Sequence, residues 1–287
     1  MAGVDNAAER AADVLEMETS LAQLHWPSEQ ARETVANYHP MTRDELDTYA
    51  PGFPWQTFFD ALQIPDIEDV VVNTDTAVQA SAQLFAETPV DVLASYLAFH
   101  FVDNQTSQLP ARFDEASFDF YSRTLRGVEE QRSRDLRAIQ FVNGRFGENI
   151  GRVYVERHFP PEYKAQMEEL VGYLREAFAE RIAELSWMDD ATRVEALAKL
   201  DAFLPKIGYP DVWRDYSTIE INDDDLIGNV RAISAWNWAD SRSRLNESRR
   251  EWEWFMSPQT VNAYYNPDSN EIVFPAAILE APFFDPF

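Results

Sequence analysis

Asn262 stands in a run rich in β-favouring residues, Val261-Asn262-Ala263-Tyr264-Tyr265-Asn266, and its carboxamide can exchange hydrogen bonds with another backbone. Pro267-Asp268-Ser269-Asn270 follows as a turn signal, because proline fixes φ while Asp and Asn bond their own backbone. Ile272-Val273-Phe274, closed by Pro275, is a short apolar return, so residues 261–275 predict a β-hairpin. Such a hairpin serves structure as readily as binding. Metal chemistry has few candidates. The histidines are His25, His39, His100 and His158, and none begins a His-Glu-x-x-His sequence. His158 and Glu162 are four apart, but Pro160 and Pro161 interrupt any single helix between them. Structural roles fit all four. There is no cysteine, which excludes thiolate zinc sites and cysteine nucleophiles. The acidic run Asn222-Asp223-Asp224-Asp225 lacks the glycine and remaining ligands of an EF-hand loop and reads instead as a helix start.

Asn262-Ala263-Tyr264-Tyr265, then Asn270-Glu271-Ile272-Val273-Phe274-Pro275-Ala276, then Pro282-Phe283-Phe284 together resemble the substrate-strand region of the neprilysin and endothelin-converting-enzyme family of zinc metalloendopeptidases. The resemblance implies an edge strand that holds a peptide in extended form, since an edge offers unpaired N–H and C=O groups to any backbone. It implies that Asn262 binds the substrate through its side-chain amide and Ala263 through its main chain, with Tyr264 beside them. Ile278 and Phe283 fall where the family lines the apolar pocket for the residue after the scissile bond. The family's zinc is held by His-Glu-x-x-His on a helix and a later Glu, two His at i and i+4 sharing one face. That motif does not occur in these 287 residues, so the resemblance implies zinc whose ligands lie outside them.

The elements that would position the hairpin are mainly helical. Residues 5–25 place Val14, Leu15, Leu21 and Leu24 at helical spacing, ended by Trp26-Pro27. Thr42 with Glu45 forms a capping box, and Met41 with Leu46 a hydrophobic staple. Pro51, Pro54, Pro65 and Pro89 punctuate short helices beyond it. Residues 91–102 are apolar nearly all round, which predicts a buried helix, and residues 129–142 carry a further helical pattern. The longest helix is predicted over 162–185, with Met167, Leu170, Val171, Leu174, Phe178, Ile182 and Leu185 as its core stripe. Another follows a cap at Asp189 or Asp190, turning Val194, Leu197, Leu200 and Leu204 inward.

This helical part carries a second resemblance to the same family. Its residues are Gly151-Arg152-Val153-Tyr154-Val155, Trp187-Met188-Asp189 with Thr192-Arg193, and Ile207-Gly208-Tyr209-Pro210-Asp211. It implies the large helical domain that encloses the active-site chamber and limits access to small peptides. Trp187 is expected as a packed anchor and Gly208-Tyr209-Pro210 as a turn. The expected fold is mainly α: a multi-helix domain with a short C-terminal β-hairpin belonging to an incomplete thermolysin-like catalytic domain. The expected division is 1–210 as helical cap, 211–258 as helical connection and 259–287 as the start of the catalytic domain. Both ends read as cut, and the apolar end Ala281-Pro282-Phe283-Phe284-Asp285-Pro286-Phe287 reads as an association hazard.

Composition sets the remaining bounds. The chain is 45% hydrophobic with 8 Trp, 11 Tyr and 19 Phe, enough aromatic surface to offset ordering entropy. Its net charge of −26 opposes nucleic-acid binding, which draws on Lys and Arg. No stretch approaches the roughly 18–20 apolar residues of a membrane span, and the start, Met1-Ala2-Gly3-Val4-Asp5, lacks the basic and apolar parts of a signal peptide. The missing cysteines depart from the disulfide-bearing animal members and point to a bacterial-type member. Two functions are compatible with these residues. One is part of a zinc endopeptidase acting on small peptides, itself inactive and partnered by the remainder of the catalytic domain. The alternative is a non-catalytic peptide- or partner-binding helical protein.

Overall fold

The computed structural model describes residues 5–285; the first four residues and Pro286-Phe287, part of the apolar end noted above, lie outside them. The chain is mainly α and forms two compact units, one up to Gln131 and one from Arg132 onward.

In the first unit, α1 (Ala7–Leu24) ends at His25, whose N–H bonds the Ala22 carbonyl. β1 (His39–Thr42) leads into α2 (Arg43–Tyr49) through the expected capping box: Thr42 accepts from Glu45 N–H while Glu45 accepts from Thr42 N–H. Met41 packs on the cluster containing Leu46, as a staple should. α3 (Trp55–Ala61), β2 (Asp69–Val72), α4 (Asp75–Glu87), α5 (Val90–Asp103) and α6 (Ala111–Ser117) complete the unit, the last running into a π-helical stretch Phe118–Thr124. β1 and β2 pair antiparallel over four residues each; Val70-Val71-Val72 in β2 favours a strand. α5 is helical as expected but is not a buried core helix. It packs along α1, with His100 3.0 Å from Glu18, while Leu97, Phe99 and Phe101 stay exposed. An all-apolar helix is buried all round only when neighbours flank it on every side.

The second unit begins with α7 (Arg134–Arg145) and α8 (Gly147–His158). α9 (Pro161–Glu184) starts at the proline pair, so the break between His158 and Glu162 is real. α10 (Asp190–Asp201) is capped by Asp189, whose side chain accepts from Thr192 N–H. β3 (Leu204–Gly208), α11 (Leu226–Ser243), β4 (Tyr264–Asn266) and β5 (Glu271–Pro275) follow. Asp225 caps α11 by accepting from Gly228 N–H, the helix start expected of the acidic run.

Several packing expectations need correction. Leu204 does not face inward from α10; that helix ends at Asp201 and Leu204 opens β3, paired in parallel with Glu271. Along α9 only Met167 and Val171 are buried, while Leu170, Leu174 and Phe178 are exposed; α10 and β3 are the elements that pack against this helix. Val194 is exposed too, and Trp187 is 74% exposed rather than a packed anchor. The core of the unit is Phe159, Met167, Val171, Ile207, Ala276 and Leu279.

Gly208 closes β3 at φ +79°, where a Cβ would also sit 2.7 Å from the Phe159 ring. Gly208→Ala is therefore expected to lose about 2–4 kcal/mol from strain and overpacking. Gly172→Ala, inside α9 with open space around it, should gain about 0.5–1 kcal/mol. Urea midpoints of the two variants check both signs.

Candidate functional site: an open sheet edge with an ionic support

The three strands of the second unit lie in the order β3-β5-β4, with β5 central. β4 pairs antiparallel with β5 (Tyr264 opposite Val273, Tyr265 opposite Ile272, Asn266 opposite Glu271), and its other side is an edge. The turn between them is held by its own side chains. Asp268 N–H donates to Asn266 Oδ1, and Tyr265 OH donates to Asn270 Oδ1 at 3.1 Å. Asn270 sits in the left-handed region (φ 49°), which Asn tolerates, and its Nδ2 donates to the Lys199 carbonyl near the end of α10 at 2.7 Å.

Of the candidate site residues, Asn262, Ala263 and Tyr264 come together at the entry to this edge. The paired strand is shorter than residues 261–266: it starts at Tyr264, because Thr260 N–H bonds Ser257 O and Asn262 N–H bonds Thr260 O, bending the chain just before it. Asn262 is exposed and its Oδ1 accepts from Ala263 N–H at 2.8 Å, which orients the carboxamide. Tyr264 is half-buried; its hydroxyl accepts from Phe255 N–H at 3.0 Å, and burial raises its pKa. Ile278 and Phe283 belong to the segment after β5. Ile278 ends the 3-10 turn Ala276–Ile278 and packs on the core cluster, whereas Phe283 is 69% exposed and its neighbour Phe284 is the ring that packs against Tyr163. Glu280 in this segment accepts from Tyr154 OH of α8 at 3.0 Å; burial first, then that bond, pushes the tyrosine pKa up to about 12.

Beneath the edge lies an ionic layer that no local sequence pattern announced. Lys206 on β3 is 8% exposed and Glu271 on β5 is 2% exposed, with Nζ 2.7 Å from Oε2. The same ammonium donates to the Glu253 carbonyl at 2.9 Å, and Arg249 stands 3.5 Å from Glu271. Nearby, Arg214 pairs with Glu148 of α8 (3.0 Å), Asp240 of α11 (3.4 Å) and Glu253. Arg244 pairs with Asp240 and Glu253 at 2.5 Å each, and Arg250 with Asp240 and Glu247 at 2.7 and 2.8 Å. Burial raises the Glu148 pKa, opposed by the Arg214 N–H and guanidinium; Arg250 is held more firmly protonated by its hydrogen bonds to Glu247 and Asp240. The sequence offers only a weak hint, Lys206 beside Ile207 and Glu271 beside Ile272, since a charge demands a partner only if it is buried.

Three of the four histidines have other partners in the fold. His39 lies 3.2 Å from the Val72 carbonyl and 3.7 Å from Asp75, His100 meets Glu18, and His158 packs its ring on Tyr154. Among the described residues no group of three or more His, Asp or Glu is placed to hold a metal. Nor is any described helix long and apolar enough to cross a membrane.

Residues 1–210 match the N-terminal model of peptidase family M13, and residues 262–287 match a second model of that family. The chain belongs to peptidase family M13. It is 30% identical over 285 residues to human endothelin-converting enzyme 1, covering 94% of this chain and 37% of that protein. It is 32% identical over 274 residues to a putative zinc metalloproteinase of Streptococcus gordonii, covering 95% and 48%. The zinc metalloprotease Zmp1 of Mycobacterium tuberculosis, solved with an inhibitor, superposes with a TM-score of 0.90 at 40% identity, over 97% of this chain and 42% of that one. PepO of Lactobacillus rhamnosis shares the fold, with a TM-score of 0.87 at 21% identity over 99% and 45% of the two chains. The chain thus spans less than half the length of these relatives. The neprilysin-like resemblance holds, as does the mainly helical fold.

The Tyr154–Glu280 bond gives this family member an alkaline limit. A tyrosine pKa above its ordinary value of 10.0 means that the contribution is complete below pH 10 and lost as pH rises through about 12. Unfolding midpoints measured across that window should fall less steeply for Tyr154→Phe than for the wild type; equal slopes would remove Tyr154 from the account.

Proposed function

We propose that this chain supplies the chamber-enclosing helical part and the substrate-binding edge of a zinc metalloendopeptidase that hydrolyses peptide bonds in small peptides. One observation carries the reading: β4 is an open edge in the part of the chain, 262–287, that matches the M13 model, and Asn262-Ala263 lead directly into it. A peptide adding beside β4 gains backbone hydrogen bonds without needing one sequence. Asn262 holds it through its carboxamide, Ala263 through its main chain, and Tyr264 flanks them. Ile278 and Phe283 favour a bulky apolar residue after the cleavage point. In this reading residues 1–210 are the cap, 211–258 the connection and 259–287 the beginning of the catalytic domain. Zinc and its ligands come from sequence other than these 287 residues, so the chain alone binds peptide without cleaving it. A second reading, a non-catalytic peptide- or partner-binding helical protein, rests on the same edge.

Two measurements test this. A fluorescein-labelled peptide with a central leucine should bind the chain, and Asn262→Ala should weaken it about tenfold, the equivalent of one or two hydrogen bonds, with little change in the urea midpoint. A stability loss of several kcal/mol in that variant would instead make Asn262 structural. The purified chain should neither retain stoichiometric zinc nor cut the peptide; a bound zinc atom with chelator-sensitive cleavage would overturn the division of labour.

A further inference from the structure

The paired part of β4 is three residues long, Tyr264–Asn266. A ladder so short does not define its own register, and a slip of one residue would turn every side chain to the opposite face. The position of this edge is therefore inherited from β5, and that of β5 from β3. At the start of β5 stands Glu271, opposite Asn266 on one side and Leu204 on the other. Its carboxylate reaches Lys206, two residues along β3, at 2.7 Å, with both side chains almost wholly buried. An apolar pair would fill that space without the cost of stripping water from two charges, so packing alone does not explain their presence. Register does. A slip of β5 by one residue would put Ile272 where Glu271 lies, and a slip by two would restore the faces but still separate the charges. Either way a buried ammonium and a buried carboxylate lose each other.

We infer that the buried Lys206–Glu271 ion pair is a register lock, two positioning residues that hold β5 in one alignment on β3 and so keep the β4 edge in its peptide-binding place. The ammonium also accounts for the other attachment of the edge. Its second bond goes to the Glu253 carbonyl, and two residues later Phe255 N–H donates to the Tyr264 hydroxyl of β4. One cation thus fixes the hairpin through β5 and through the segment that grips Tyr264. Arg249 neutralises Glu271 from the rim and is the lesser partner, at 3.5 Å and half exposed. The inference rests on the reading of β4 as the peptide edge, but the cross-strand contacts that test it do not depend on that reading.

The test compares wild type with the double variant Lys206→Met/Glu271→Met, which removes both charges and keeps an apolar filling. Urea unfolding should give a midpoint near that of wild type, since exchange of a whole buried pair for apolar side chains is often neutral. Cross-strand nuclear Overhauser contacts, Ile207 with Phe274 and Tyr264 with Val273, report register directly. A second set of contacts from a shifted alignment is expected in the double variant. Affinity for the central-leucine peptide should then fall about tenfold if the competent register drops to about a tenth of the population. Glu271→Gln, which keeps shape and an acceptor for Lys206 while removing the charge, is the second variant and should show the minor register as well. A single native register with wild-type affinity in either folded variant overturns the lock. Should wild type bind no peptide at all, the proposed function fails, while the cross-strand contacts still decide the lock.

Discussion

The second unit is organised by one long-range constraint, the parallel pairing of Leu204–Gly208 with Glu271–Pro275. It brings the end of the helical run and the hairpin into one sheet. Parallel strands need a crossover between them, here supplied by the loop after Gly208, α11 and the segment leading to β4. Ile207 on one strand and Ala276 just beyond the other meet Phe159, Met167 and Val171, so the same pairing that positions the edge also closes the core. Gly208 ends the strand in a conformation that lets the Phe159 ring press against the backbone.

Charge is used unevenly. A chain with 50 acidic and 24 basic residues commits Lys206, Arg214, Arg244 and Arg250 to interior or half-buried pairs joining β3, β5, α8 and α11. Such clusters contribute little through net attraction once desolvation is counted, but they tolerate few alternative arrangements. Apolar side chains, by contrast, remain outside on several helices: Leu170, Leu174 and Phe178 on α9, and Leu97, Phe99 and Phe101 on α5. The helices were placed by their capping and spacing, not by complete burial of their apolar positions.

This contrast explains what could be read from residues alone. Helix starts are local events, and Thr42 with Glu45, Asp189 and Asp225 were all legible because each cap is settled within three residues. The hairpin turn was legible for the same reason, with Asn266 and Asn270 bonding their immediate neighbourhood. β3 was not. Leu204-Pro205-Lys206-Ile207-Gly208 contains a proline and a lysine, both poor strand formers, and becomes a strand only because β5 lies beside it. Lys206 and Glu271 lie 65 positions apart in the chain, and only that pairing brings them together. Likewise Trp187 and the outer half of the α9 stripe looked like core, since spacing identifies a face but not whether anything covers it.

The parallel order also sets a timetable. During synthesis the helices through α10 can form as they leave the ribosome, whereas β3 then waits for its neighbour β5 until the loop, α11 and the hairpin have been made. At the usual pace of about 5–20 residues per second that delay lasts seconds, far longer than helix formation. A nascent chain interrupted inside this interval would hold its helices, while Leu204–Gly208 remained an unmatched template, open to the corresponding strand of another copy.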